Sequence, residues 1–226
     1  MKLMLETAEG VRPLADSGEE GVALVGVLPG DDIALHRLHL QETDPAERLE
    51  EARMRAIDLA AQPVEDLHIA VGPPQEDGAS WIAVIDRERM AGHIEHFRAA
   101  GAAPRHFTPA ALLLDAPDIR PAMARFDDDR LLLRTQDFAG LVEPGLAPQL
   151  TGTAFPPRLP QLPAFEPAAP ATLPLDLMQG DFAPRLKWWK SRRFRISAAL
   201  LILLLARALA APLLIGRARA AAAIAG

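Results

Sequence analysis

The alternation of apolar and polar residues predicts a run of short strands broken by two amphipathic helices. Gly21 to Leu28 is apolar, Leu28-Pro29-Gly30-Asp31 has turn chemistry, and Asp32 to Leu40 follows, a pattern that predicts a hairpin. Its second arm carries His36 and His39, which face opposite sides of a strand and so cannot share one metal. Thr43-Asp44-Pro45-Ala46-Glu47 opens a helix, with Thr or Asp as cap, proline in the first turn and acids at the positive end of the dipole. Leu49, Ala52, Ala56, Ile57 and Ala60 make its expected inward face, Glu51 and Arg55 stand i, i+4, and Pro63 ends it. Leu67, Ile69 and Val71 alternate as a strand, PPQEDG loops, and Ser80 to Ile85 forms a second, nearly all-apolar strand. Trp81 to Ile85 reads as core, with an edge open to strand addition as the alternative.

Asp86 caps a second helix that runs through Ala100, with Met90, Ile94 and Phe97 as its stripe and Gly101 as its stop. His93 and His96 stand i, i+3 on it. That spacing suits a metal pair, but no third ligand is evident, and a polar helix flank is the preferred reading. A strand from Arg105 to Thr108 and an apolar run from Ala110 to Leu114 come next. Met123 to Phe126, a turn at Asp127-Asp128-Asp129, and Arg130 to Thr135 predict a hairpin. Those acids lack EF-hand spacing and its glycine, which makes them a solvated turn. From Glu143 to Pro174 prolines recur with little apolar periodicity, so the segment is read as an extended, semi-rigid tether.

Beyond it the pattern changes again. Ile196 to Ile215 holds twenty residues, including Leu200, Leu201, Ile202, Leu203, Leu204 and Leu205, enough for a hydrocarbon core of about 30 Å. Arg207 costs roughly 2.5 to 3.5 kcal/mol on insertion scales, nearly cancelling the leucine run, although it can snorkel outward. Pro212 lies near the far end, where a kink is tolerable. The segment is read as a transmembrane helix, with a hydrophobic helix buried against another subunit as the alternative. Arg185, Lys187, Lys190, Arg192, Arg193 and Arg195 precede it, Trp188 and Trp189 suit the headgroup layer, and only Arg217 and Arg219 follow. This bias orients the N-terminal side to the cytoplasm.

Charge divides the chain at the same place. Residues 183 to 226 hold nine Lys or Arg and no acid, leaving fifteen bases and all thirty acids in residues 1 to 182. The two parts thus carry +9 and −15 within an overall −6. Each basic residue near an anionic leaflet is worth about 1 kcal/mol, so the tail grips lipid while the acidic part is repelled from it. The basic run is also explained as a topology signal alone. There is no cysteine, which removes disulfides, thiolate zinc sites and thiol nucleophiles. The N-terminus has no apolar signal-peptide core before acids intrude. Neither GxxxxGKS/T nor GxGxxG is present, and GxSxG and HExxH are missing too.

Leu175 to Arg185, LDLMQGDFAPR, followed by the basic Trp-containing segment and one apolar run, resembles the juxtamembrane signature of the type II secretion system inner-membrane protein L family. The upstream order VLPGDDIALHRLHL, QPVEDLHIAVG, SWIAVIDRERM, FTPAALLLDAP and DDDRLLLRTQDFAG is similar too. Pro63 to His68 and Gln179 to Ala183 are the most specific parts. The resemblance implies a mixed α/β cytoplasmic domain with an actin-like, RNase H-like fold and no nucleotide hydrolysis of its own. It implies recruitment of the hexameric secretion ATPase, protein E, and pairing with itself and with the single-span protein M at an anionic phospholipid membrane. No cofactor, metal, catalytic residue or nucleic-acid partner is expected. The expected layout is a cytoplasmic domain (1–142), a tether (143–174), a basic juxtamembrane segment (175–195), a transmembrane helix (196–216) and a short periplasmic tail (217–226). Family members continue there into a periplasmic ferredoxin-like domain, whereas here about ten Ala- and Arg-rich residues follow the apolar run, and contacts through that domain are not expected of them. The competing expectation is an actin-like protein that binds or hydrolyses ATP itself.

Overall fold

The structure, a computed structural model, describes residues 1–15, 23–115, 120–152, 162–167 and 172–184. Contacts divide the chain into one unit from Met1 to Pro184 and a second from Arg185 to Gly226, which lies outside the described residues.

Among the described residues, three sheets build the first unit. Strands β1 (Lys2–Thr7), β2 (Gly10–Ala15), β3 (Leu24–Leu28) and β7 (His106–Pro109) form one in the order β2-β1-β3-β7. β2 folds back antiparallel on β1, whereas β1, β3 and β7 run parallel. The second sheet has the order β4 (Ile33–His39), β6 (Ala79–Asp86), β5 (Leu67–Val71), all antiparallel. The third is β10 (Ala139–Val142), β9 (Leu131–Arg134), β8 (Ala122–Arg125). The expected hairpin around Asp127 to Asp129 is β8–β9, with Asp127 Oδ1 accepting from the amides of Asp129 and Arg130 to close the turn.

The hairpin expected between β3 and β4 does not form. β3 has β1 on one side and β7 on the other, so it has no free edge, and it is buried on both faces as a central parallel strand should be. The turn, with Gly30 at φ +97°, instead hands the chain to the second sheet, where β4 pairs with β6 from Ile33↔Ile85 to His39↔Ala79. β6 is that sheet's central strand and nearly all buried, so Trp81 to Ile85 is core and not an open edge. Gly26 sits opposite Phe107, whose ring would be 2.4 Å from an added Cβ; glycine lets the ring lie flat on the strand.

Helix α1 (Pro45–Leu59) is capped by Asp44, whose side chain accepts from the amides of Ala46 and Glu47. Its expected inward face is partly wrong: Ile57 is 62 % exposed, while Glu51, Ala52 and Ala56 are buried. Two polar anchors set this rotation. Arg48 reaches inward to the Gly72 carbonyl and to Ser80 Oγ, and Glu51 Oε2 accepts from the amides of Gln41 and Glu42. The small Ala52 and Ala56 then face Leu67, Ile69, Ile82 and Val84. Helix α2 (Arg87–Ala99), capped by Asp86, buries Met90 and Phe97 in the main core, with Ile94 packed against it.

The segment 143–174, expected as an extended tether, is packed in its described parts. It contributes helix α3 (Ala147–Thr151), closed by Gly152 at φ +63°. Near Pro163 it pairs with β8: Arg125 N donates to the Pro163 carbonyl and Phe165 N to the Arg125 carbonyl. Proline bars a residue from donating to a ladder but not from accepting, and the residues between prolines supply the donors. Phe165 is buried in the main core.

Candidate functional site

The signature Leu175 to Phe182, expected as a juxtamembrane segment, is built into the domain. Leu175 and Leu177 are fully buried in the main core. Between them Asp176 turns toward the edge of β7: Oδ1 accepts from the amides of Phe107 (3.2 Å) and Met178 (3.0 Å), and Oδ2 lies 2.7 Å from His106 Nδ1. Leu177 N donates to the Phe107 carbonyl at 2.8 Å, a strand-like bond on the same edge.

The next residues cross to β5, an edge of the second sheet. The Gln179 side-chain amide takes the place of a neighbouring strand: Oε1 accepts from Val71 N at 3.1 Å, and Nε2 donates to Val71 O at 2.9 Å and to Asp176 O at 2.8 Å. The buried His68 donates from Nε2 to the Leu177 carbonyl at 2.7 Å, and Phe182 packs edge-on against its ring, centroids 4.8 Å apart. Burial pushes the His68 pKa down, against the pull of that carbonyl, which keeps the ring neutral and suited to donating from Nε2. Arg87 closes on Asp181 and also reaches the Leu67 carbonyl. The hydrogen bond from Arg87, together with its charge, holds the Asp181 carboxyl below its ordinary value. Gly72 makes the passage possible, since a Cβ there would lie 2.5 Å from the Pro174 carbonyl oxygen. The segment is thus a clasp over two sheet edges, and it brings together the two most specific stretches of the sequence resemblance, Pro63 to His68 and Gln179 to Ala183.

The sequence-expected membrane-interface residues (Arg185, Lys187, Trp188, Trp189, Lys190, Arg192, Arg193, Arg195) and the expected span from Ile196 to Ile215, with Arg207 and Pro212, lie outside the described residues. Among the described residues no helix is long and apolar enough to cross a membrane. Sequence reasoning missed the roles of Asp176, Gln179 and His68. The available signal was compositional: a polar, Gly-containing run in which Leu175 and Leu177 alternate as a strand's buried face would.

His93 and His96 take a different arrangement from a metal pair. His93 Nδ1 lies 2.7 Å from Glu6 Oε2 and its Nε2 lies 2.9 Å from Asp32 Oδ2, while His96 Nδ1 lies 2.6 Å from Glu6 Oε1. Burial opposes charge on His93, but hydrogen bonds to Asp32 and Glu6, with their negative charge, raise its pKa to about 9. Burial likewise works against both carboxylates, and the His93 bonds and charge outweigh it and hold them low. A protonated imidazole therefore bridges β1 and the start of β4. Two clefts flank the Asp127 turn, one of about 600 Å³ with Arg12, Arg125, Asp127, Asp128 and Glu166, the other of about 740 Å³ with Asp127, Asp128, Asp129, Arg130 and Glu143. Arg130 is paired with Asp127, so the second cleft presents mainly carboxylates, a lining hostile to polyphosphate.

Comparison with known proteins agrees with the fold. No curated protein matches the chain. Among solved structures, the cytoplasmic domain of EpsL, an inner membrane component of the type II secretion system of Vibrio cholerae, is similar at 16 % identity and a TM-score of 0.55, covering 80 % of this chain and 100 % of that one. A PilM-PilN type IV pilus biogenesis complex also matches, at 20 % identity and a TM-score of 0.40 over 58 % of this chain and 46 % of that one. The profile of the type II secretion system (T2SS) protein L family matches residues 7–154, from the end of β1 past α3, and the chain belongs to that family.

Proposed function

We propose that the chain is a non-catalytic inner-membrane scaffold of the type II secretion system, whose cytoplasmic domain recruits the secretion ATPase, protein E. In this reading the domain is actin-like in descent, the apolar run 196–216 is its single span, and the N-terminal side is cytoplasmic. Pairing with itself and with protein M would place it in the inner-membrane platform. The observation that carries the reading is the clasp. Residues 175 to 182 are locked into the domain's core and across two sheet edges, and the basic, Trp-containing stretch follows within three residues. A domain that folds around its own membrane-proximal segment is suited to passing load, as a scaffold for a motor must. Recruitment works by raising the local ATPase concentration at the membrane.

The test is vesicle flotation with the full chain and the matching secretion ATPase. Co-flotation of the ATPase that depends on the chain is the expected result. An ATPase that stays at the bottom of the gradient while the chain floats would overturn recruitment. A chain that resists flotation and is extracted by carbonate would overturn the anchor. The competing reading, nucleotide binding by the chain itself, finds no support in the acidic cleft at the Asp127 turn, and absence of binding at millimolar Mg-ATP is expected.

A further inference from the structure

We propose that the outer face of α1 is the surface on which the domain takes its cytoplasmic partner, a protein segment with apolar anchors ringed by Lys or Arg. The inference rests on the recruitment reading above and assigns it a place. α1 is turned so that alanines and a glutamate face inward while Met54 (64 % exposed), Ile57 (62 %) and Leu59 (43 %) face outward. Met54 and Ile57 stand i, i+3 and form one patch. A groove of about 380 Å³ lined by Glu42, Ala46, Glu47, Glu50, Glu51 and Met54 runs into it.

Charge selects the occupant. Glu42, Asp44, Glu47 and Asp58 rim the helix and make no ion pair among the described residues, while Arg53 and Arg55 are engaged by Glu50 and Glu51. The Glu47 carboxyl is pushed up by the charge of Glu42, by a hydrogen bond with it, and by Asp44, the mark of negative charge without a counterion. An anionic leaflet is repelled by such a rim, and the same face of a second copy would set acid against acid. A cationic rim around apolar anchors satisfies both parts of the surface, with the apolar centre giving affinity and the rim giving encounter rate.

The experiment measures binding of the purified secretion ATPase to the full chain in detergent or nanodiscs. Met54→Ser with Ile57→Ser, and separately Glu47→Lys with Asp58→Lys, are each expected to weaken binding tenfold or more. The charge pair should act mainly on the association rate, and wild-type binding should weaken with salt. All four positions are exposed, and unchanged thermal melting shows that the fold survives. Leu150→Ser on α3, where Leu150 is 43 % exposed, is expected to bind as wild type. Wild-type affinity in both α1 variants, with the ATPase still bound, overturns this surface and leaves recruitment standing. An equal loss in Leu150→Ser overturns its specificity. No binding by the wild-type chain overturns recruitment and this surface together.

Discussion

Single residues decide whether the clasp holds. Gln179 closes the edge of β5 with a side chain, so Gln179→Ala leaves both polar groups of Val71 without that partner. A loss of about 1 to 2 kcal/mol is expected in chemical denaturation, and a change within error would show that solvent replaces the amide without cost. Gly72→Ala meets a backbone oxygen, which cannot rotate aside, so it should loosen the clasp as a whole. His93 carries the clearest pH signature. Its folded pKa of about 9 lies above the unfolded 6.5, so its contribution is fully present below about pH 6.5 and lost as pH rises through 9. The contribution is on the order of 3 kcal/mol. Melting of wild type against His93→Gln from pH 6 to 10 should show the wild-type advantage shrinking with pH. A constant difference would remove the imidazolium bridge. At the acid end the sign reverses, because Glu6 and Asp32 are held low and their contribution disappears as pH falls through their folded values.

At the scale of elements, what the sequence exposes is what local chemistry dictates. The caps Asp44 and Asp86 are legible because an Asx side chain before a periodic run has one low-energy use, and Asp→Ala at either should cost about 1 kcal/mol by thermal melting. The Asp127 turn, β5, β6 and the Glu51–Arg55 pair at 3.7 Å are legible for the same reason. Pairing partners are not local. The apolar run of β3 and the residues of β4 suit a hairpin or two separate sheets, and the occupied edges of β3 decide. The rotation of α1 is hidden likewise, because Ile57 lies at inward spacing and the inward-pointing Arg48 and Glu51 override it. The proline-rich stretch misleads for a third reason: low periodicity marks the absence of a helix, not of packing, and Phe165 and Leu175 need only single pockets.

For the whole molecule, the clasp changes which segment would connect the domain to the proposed anchor. A free tether over 143–174 would let the domain wander, with load on the anchor dissipated in chain entropy. Instead the chain passes through the main core at Leu175 and Leu177 and bonds to edges of two different sheets before Pro184. Release of that end requires the bonds to β7 at Phe107 and to β5 at Val71 both to break. The full chain in nanodiscs, followed by amide hydrogen exchange, should show Leu177 and Val71 protected to a similar degree and released together. Leu177→Ala should cost about 2 to 5 kcal/mol and speed exchange at both amides, because a fully buried leucine leaves a cavity where the clasp crosses the core. Rapid exchange at Leu177 beside a slowly exchanging Val71 would mean that the clasp opens independently of the domain, and in the proposed scaffold role a motor on the domain would then be coupled to the membrane by a loose chain.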